Sequence, residues 1–350
     1  MRLTAHFKKH TLVFKRPSGT SRGVLRTKDT YYLIIEYNGK QGIGECSPLA
    51  GLSMDDRPDY EEKLAWVCKN IHSELESLLI DLDEFPSIQF GLEIAFASLS
   101  GDNMFEIIPS QFSNNEAPIA INGLIWMGDA AFMKKQIREK IDQGFDCIKM
   151  KIGAIDFATE LSILKAVRAA YSASDISLRV DANGAFLPED ALEKLKRLSD
   201  FELHSIEQPI AVKQWEHMAM LCEQSPLAIA LDEELIGVIA SGDRDKLLDA
   251  INPPYIILKP SLIGGFAGTD DWINRAEKKS IKWWITSALE SNIGLNAICQ
   301  YTFVKNSNLP QGLGTGSLYT NNIKSPLVVA NGTIFYDQKI AWEVSEIKNL

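Results

Sequence analysis

Residues 147–184 read CIKMKIGAIDFATELSILKAVRAAYSASDISLRVDANG. A short apolar run ends in Lys149-Met150-Lys151, a helix-like stretch follows, and a second apolar run ends in Asp181-Ala182-Asn183-Gly184. This is one strand–helix unit, in which strand residues alternate between two faces and the helix carries the chain back to start a parallel neighbour. The unit recurs on both sides. PIAING at 118–123, LHSIEQP at 203–209, LAIALDE at 227–233, YIILKP at 255–260, WWITSALES at 283–291 and QGLGTG at 311–316 continue the series. Their polar ends at Lys151, Asp181, Glu207, Asp232, Lys259 and Ser287 are spaced 25 to 30 residues apart. Eight such units in series close into a TIM-type (β/α)7β barrel of the α/β class. An open doubly wound sheet would carry G-x-G-x-x-G between its first strand and helix, and that signature is missing.

The first 116 residues stand outside this repeat. YYLIIEYNGKQGIGE at 31–45 reads as a hairpin turning at Asn38-Gly39, because Asn-Gly supplies the positive φ angles of a type I′ turn. The stretches 58–81 and 88–99 read as helices, so an α+β capping domain is expected over 1–116 and the barrel over 117–318. In the remaining segment, 319–350, LVVANGTIFYD reads as a second hairpin at Asn331-Gly332 that returns to the capping domain and completes it.

The composition, 350 residues with 45% hydrophobic and 23% charged, is that of a folded globular chain with ample core. Against 46 Asp and Glu stand 36 Lys and Arg, a formal charge of −10, which gives no electrostatic footprint for nucleic acid or an anionic membrane. Small molecules are the expected partners; the sequence is silent on oligomeric state. Cys46, Cys68, Cys147, Cys222 and Cys299 are odd in number, scattered and free of C-x-x-C, so neither a disulfide framework nor a zinc knuckle is readable. MRLTAHFKKHTLVF carries no export signal and no apolar run reaches the ~18 residues of a membrane span, so a cytoplasmic protein is expected.

Residues at the C-terminal ends of barrel strands share one mouth. Three successive ends, Asp181, Glu207 and Asp232, are acidic, and three carboxylates facing one cavity repel one another unless a cation neutralises them. A divalent metal is therefore expected. All-oxygen ligands favour Mg²⁺, with Mn²⁺ as a substitute, over zinc. Of His6, His10, His72, His204 and His217, none falls at a strand end, and His204 has the opposite parity to Glu207 and reads as a packed or surface residue. Basic ends flank the acidic ones. Lys149 and Lys151 share a face, Lys259 lies across the mouth, and two neighbouring lysines depress each other's pKa toward that of a base useful near neutrality.

K-x-K at 149–151, V-D-A-N at 180–183, I-E-Q-P at 206–209, L-D-E at 231–233 and L-K-P at 258–260 resemble, in the same order, the motifs of the enolase superfamily, muconate-lactonizing subgroup. G-I-G-E-C-S-P-L-A-G at 42–51 is similar to that family's capping loop over the substrate, so the resemblance covers nearly the whole chain. It implies that Asp181, Glu207 and Asp232 hold Mg²⁺, that Lys151 removes a proton beside a carboxylate, and that Lys259 supplies positive charge to the enediolate from the opposite face. Lys149 would tune Lys151 and touch the carboxylate. G-E-C-S-P-L-A-G-L-S at 44–53, L-R-V-D-A-N at 178–183 and S-A-L-E-S-N-I-G-L at 287–295 narrow the resemblance to the branch that dehydrates 2-succinyl-6-hydroxy-2,4-cyclohexadiene-1-carboxylate in the menaquinone pathway. Dipeptide epimerases, N-acylamino acid racemases and muconate cycloisomerases share the frame and stand as alternatives. No Asp-x-Asp, a pattern associated with the epimerases, lies on the strand ending S-A-L-E-S. A noncatalytic barrel serving as a binding module is the alternative from another class, and the intact acid and lysine set argues against it.

Arg179, two residues before Asp181, shares its face and is expected either to position an anionic substrate or to pair with an acidic neighbour. Ser47 and Ser53 from the cap, with Ser287, Gly314 and Thr315 from the late strands, are the candidates for shaping the pocket, although such residues also serve plain turn chemistry. The run Gly312-x-Gly314-x-Gly316 reads as tight packing where the barrel closes in preference to a phosphate cradle, since no convincing amphipathic helix follows it.

Overall fold

The computed structural model describes residues 3–20 and 23–343. Strands β1 (Thr4–Thr20) and β2 (Gly23–Tyr37) form a long antiparallel arm, and β3 (Lys40–Cys46) returns through Asn38 and Gly39 at φ 51° and 79°, as the Asn-Gly signal requires. Both faces of this sheet are covered. Tyr31, Leu33 and Ile35 pack on the helices α1 (Tyr60–Asn70), α2 (Leu75–Ile80) and α3 (Pro86–Ser100), whereas Tyr32, Ile34 and Ile43 join Phe105, Ile293 and Ile323 on the other side. The stretch 58–81, expected as one helix, breaks in two. The Asn70 side-chain amide donates to the Trp66 carbonyl at 2.8 Å and the Ser73 backbone N–H bonds Asn70 O at 2.9 Å, so a side chain and a tight turn take up the last turn of α1. Helix α3 lies on β3 with no room to spare: a Cβ on Gly44 would stand 1.8 Å from the Gly91 carbonyl oxygen.

The chain next forms β4 (Ile119–Ala120) and β5 (Gly123–Ile125), so the first expected barrel run divides. From β5 onward strand and helix alternate: α4 (Ala130–Asp142), β6 (Cys147–Lys151), α5 (Phe157–Ala170), β7 (Ser177–Asp181), α6 (Pro188–Ser199), β8 (Ser205–Glu207), α7 (Trp215–Gln224), β9 (Ile229–Leu231), α8 (Ser241–Ile251), β10 (Tyr255–Leu258), α9 (Gly265–Lys278), β11 (Lys282–Ile285) and α10 (Asn292–Lys305). Local signals start these helices: Asp129 and Asp156 accept from Phe132 N and Thr159 N at 2.8 and 2.9 Å, and Pro188 opens α6 ahead of Glu189 and Asp190. The strands from β5 to β11 form one parallel sheet in sequence order. Gln311 and Gly312 close it. Gln311 N bonds Ala120 O at 2.8 Å on one side, and Gly312 N bonds Ile285 O at 2.9 Å on the other. A Cβ on Gly312 would lie 2.1 Å from Thr286 Oγ1, so this glycine does serve tight packing at the seam.

The C-terminal segment divides its contacts. Thr320 N bonds Val13 O at 2.9 Å along β1, and Trp342 stacks on Phe105 at 4.2 Å. Between them the expected hairpin forms as β12 (Leu327–Ala330) and β13 (Thr333–Tyr336), turning at Asn331 and Gly332, and pairs with β4 at the start of the barrel. Residues 1–2 and 344–350, included in the expected terminal segments, lie outside the described residues. No helix among the described residues is long and apolar enough to cross a membrane.

Candidate active site

Alternate residues of a barrel strand face its lumen. Lys151, Asp181, Asp232 and Lys259 all line one cavity of about 1090 Å³, together with Lys149, Asn183, Ser287, Gly314 and Thr315. The cap contributes Leu49, Ala50, Gly51 and Leu52 to the same walls. Glu207, fully buried, lies beneath Lys149.

Ammonium groups stand between the carboxylates. Lys149 Nζ is paired with Glu207 Oε2 and lies 2.9 Å from Asp181 Oδ2. Lys151 Nζ donates to Asp181 Oδ2 at 2.9 Å and to Asn183 Oδ1 at 2.7 Å, and Lys259 Nζ donates to both oxygens of Asp232, 2.6 Å from Oδ1. The expected mutual depression of the lysines does not hold for Lys149. Burial works against its charge, but Asp181, Glu207 and Asp232 outweigh burial and hold the ammonium above its ordinary range. Lys259 is held up in the same way, by Asp232 and Glu233 against burial. Asp181, although buried, is kept well below the usual carboxylate range by Lys149 and Lys151. Burial pushes Glu207 up to about 7, with Lys149 opposing.

Among the described residues no three acidic, cysteine or histidine side chains close on a common point as a finished metal cage, because each carboxylate is drawn to an ammonium. The donor set nevertheless fits a hard cation. Its oxygens are anionic, and Glu207 Oε1 is buried without a hydrogen-bond partner. Such an orphaned oxygen is costly, and a divalent cation is the partner that suits it.

Three of the expected substrate contacts are placed elsewhere. Arg179 faces inward but one layer lower, stacked 4.1 Å over Trp284 and donating to the Pro310 carbonyl at 2.9 Å, so it does not line the cavity and is not drawn to an acidic partner there. Ser47, fully buried, accepts from the Lys28 ammonium, and Ser53 accepts from Leu49 N at 2.8 Å within its own loop. Their hydroxyls shape the loop from behind while the leucines meet the cavity. Ser287 is in place, donating to Glu290 Oε2 at 2.6 Å and accepting from Thr315 Oγ1 at 2.8 Å. His204 is a packed residue between Tyr255 and Trp284, its pKa lowered to about 4 by burial and by Arg179.

Asn183 and Gln208, two and one residues beyond the acidic strand ends Asp181 and Glu207, are tied into the charged cluster by hydrogen bonds and are given no role in the sequence reading. Both have positive φ, 45° and 36°. Asn183 bridges Lys151 to Glu233 Oε1, the latter at 2.9 Å, and Gln208 Oε1 accepts from Asp232 N at 3.3 Å while its amide donates to Glu234 at 3.1 Å. The motifs V-D-A-N and I-E-Q-P contain both residues, and an amide at a strand end next to a charged ligand was the available signal.

Residues 132–339 match the family model of enolase C-terminal domain-like proteins, and residues 10–99 match that of the MenC N-terminal domain. The o-succinylbenzoate synthase of Desulfotalea psychrophila is 46% identical over 359 aligned positions, covering 94% of this chain and 97% of that one. The crystal structure of MenC from D. psychrophila superposes with a TM-score of 0.86 at 42% identity, over 96% of this chain and 100% of that chain. A dipeptide epimerase from Enterococcus faecalis, solved with Mg and the dipeptide L-Leu-L-Tyr, has a TM-score of 0.82 at 20% identity over 96% of this chain and 97% of its own, a likeness of fold alone. At that identity and span of the D. psychrophila relative, with both family models in register along the sequence, the chain belongs to the o-succinylbenzoate synthase family of the enolase superfamily.

Proposed function

We propose that this protein is a cytoplasmic, Mg²⁺-dependent hydro-lyase that converts 2-succinyl-6-hydroxy-2,4-cyclohexadiene-1-carboxylate to o-succinylbenzoate. The observation that carries the reading is the convergence on one cavity of three lysines and two acidic strand ends from four different strands, with Glu207 buried beside them. Asp181, Glu207 and Asp232 would hold the metal, which supplies Lewis-acid stabilisation of the negative charge that develops on the substrate carboxylate. Mn²⁺ is the expected substitute.

Lys151, as the general base, would take the proton from the ring carbon bearing the carboxylate. The ammonium so formed returns that proton to the departing hydroxyl on the same face, which leaves as water. The ring becomes aromatic, and the step is downhill. Lys259 offsets charge from the opposite face without moving a proton, and Lys149 holds Glu207 and Asp181 in place. Asn183, hydrogen-bonded to Lys151, fixes its direction. Residues 1–116 form the cap, with Trp342 and the stretch near Thr320 from 319–350 against it, over a barrel of 117–318. Leu49 and Leu52 exclude water from the mouth. Gly314, Thr315 and Ser287, which line the cavity, would meet the succinyl arm.

A product assay tests this directly: the protein with Mg²⁺ is offered the cyclohexadiene substrate, a dipeptide panel and N-succinylamino acids. Aromatic ultraviolet absorbance should develop with the first. Deuterium exchange into the others, with no aromatic product, would replace the reading with an epimerase or racemase.

A further inference from the structure

The cap is seated on the barrel by two carboxylates, one buried and one half-buried, that the chemistry above does not use. Glu45, at the end of β3, is wholly buried. Its Oε1 accepts from Thr30 Oγ1 and from Ser291 N, both at 2.8 Å, and its Oε2 accepts from Ser291 Oγ at 2.6 Å and Gly294 N at 2.7 Å. Ser291 and Gly294 begin α10, so the cap supplies, from another part of the chain, the carboxylate that a capping box would draw from its own first turn. Glu93, on α3, repeats the arrangement one helix earlier, accepting from Phe266 N and, at 2.9 Å, from Ala267 N in the first turn of α9.

Glycine makes room in both places. A Cβ on Gly294 would lie 2.9 Å from Glu45 Oε2, and one on Gly265 would lie 2.1 Å from Glu93 Oε2. Each helix end is therefore shaped to admit a foreign carboxylate. Helices α9 and α10 follow the strand ends that carry Lys259 and Ser287, and the loop after Glu45 is the one that brings Leu49 and Leu52 to the cavity.

We infer that Glu45 and Glu93 are positioning residues, docking the cap onto the glycine-floored starts of α10 and α9 so that its leucine loop is held over the lysine-lined mouth. An ionised carboxylate at a helix N-terminus combines charge-assisted hydrogen bonds with a favourable dipole. Two such anchors on adjacent helices fix the orientation of the cap as well as its contact. The turnover readout rests on the dehydratase reading, whereas the exchange readout below does not.

Glu45→Gln and Glu93→Gln keep shape but turn one acceptor oxygen into a donor facing an N–H. Each lost charged hydrogen bond corresponds to a factor of about ten, so KM for the diene should rise by about that factor in each variant. The change in kcat should be less than about threefold and Mg²⁺ affinity, carried by barrel residues, should stay within about twofold. Folded variants with unchanged KM, or with KM and Mg²⁺ affinity lost together, would overturn the inference. Gly294→Ala, which favours the helix yet fills the Glu45 cradle, should give the same split and serves if a glutamine variant fails to fold. Amide hydrogen exchange is read in parallel: residues 47–53 should exchange faster in the variants with the barrel strands unchanged, and equal exchange overturns the inference. Faster exchange of residues 47–53 in the variants, alongside natural protein that turns over no diene, sinks the dehydratase reading alone.

Discussion

Lys151 and Lys259 differ in their partners as well as in their strands. Lys151 shares its hydrogen bonds between Asp181 and the neutral amide of Asn183, whereas Lys259 is clasped by both oxygens of one carboxylate. The first has a neutral acceptor among its partners; the second is kept charged by Asp232 and Glu233 against burial. Lys151→Ala removes base and acid together, roles typically worth about 10² to 10⁴ each, so dehydration should fall below detection. Lys259→Ala should be severely impaired and Lys259→Arg should retain some turnover, since charge is kept with altered geometry. Circular dichroism and Mg²⁺ titration establish folding of each variant before absorbance is followed. Near-normal turnover by Lys151→Ala would place the base elsewhere. Parity in the sequence put Lys149 and Lys151 on one face, and both line the cavity, because alternation is a property of every strand. It also assigned Arg179 to the right face, but alternation says nothing about depth, and Arg179 lies one layer down against Trp284. Asn183 and Gln208 were harder still. Their role depends on positive φ, which for Gln208 is a strained conformation held by its own side-chain hydrogen bonds, and no residue pattern announces it.

At the scale of elements, the barrel strands were legible from their apolar runs and the helices as the stretches between those runs, whereas the joints between elements were not. Asp55 shows why. Its Oδ2 accepts from Ser87 N at 2.8 Å and Ser87 Oγ at 2.6 Å, capping α3 from a loop more than thirty residues away. A bond from a remote carboxylate to a backbone N–H leaves no periodic trace in the sequence. Burial pushes the Asp55 carboxyl up to about 6, although the Ser87 bonds oppose it, and Oδ1 has no partner among the described residues. A carboxyl with a raised folded-state pKa favours the folded state while protonated. That contribution is present below the unfolded value near 4 and is lost as pH climbs through 6, by at most roughly 3 kcal/mol. Asp55→Asn keeps an acceptor for Ser87 and cannot ionise. The melting temperature of the variant minus that of the natural protein should grow from pH 4 to about 6.5 and then level off; a flat difference across that range would contradict the burial argument.

For the whole molecule, barrel and cap have separate tasks, and two measurements distinguish them. Chelation should abolish activity and Mg²⁺ should restore it, while the metal also relieves repulsion among Asp181, Glu207 and Asp232. Stability should then rise by about 2.7 kcal/mol at a hundredfold excess over Kd, seen as an upward shift in melting temperature that Glu207→Gln diminishes. Full activity in metal-free protein would remove the metal from the mechanism. Substitutions at Leu49 or Leu52 should change substrate preference and leave that thermal shift intact, because these side chains reach the cavity from outside the barrel. Loss of both together would indicate misfolding. The two-part architecture was readable because only one part repeats. The long strand β1 was not, since around Val13 and Lys15 it bonds Leu318 and Thr320 in addition to its pairing with β2.

The closing seam has a bearing on how the chain reaches this state. Ile121 bridges to Gln311, and the His10 ring meets Asn321 across 311 positions of sequence. A ribosome releasing the chain from its N-terminus therefore exposes a growing parallel sheet with two unpaired edges for most of synthesis, and long-range pairing of this kind is slow. Gly312, with no side chain to clear, lets the last short segment slip against Thr286 once it emerges. A nascent chain halted shortly before residue 311 would present open strand edges, and chaperone dependence of this protein should be greatest in that interval.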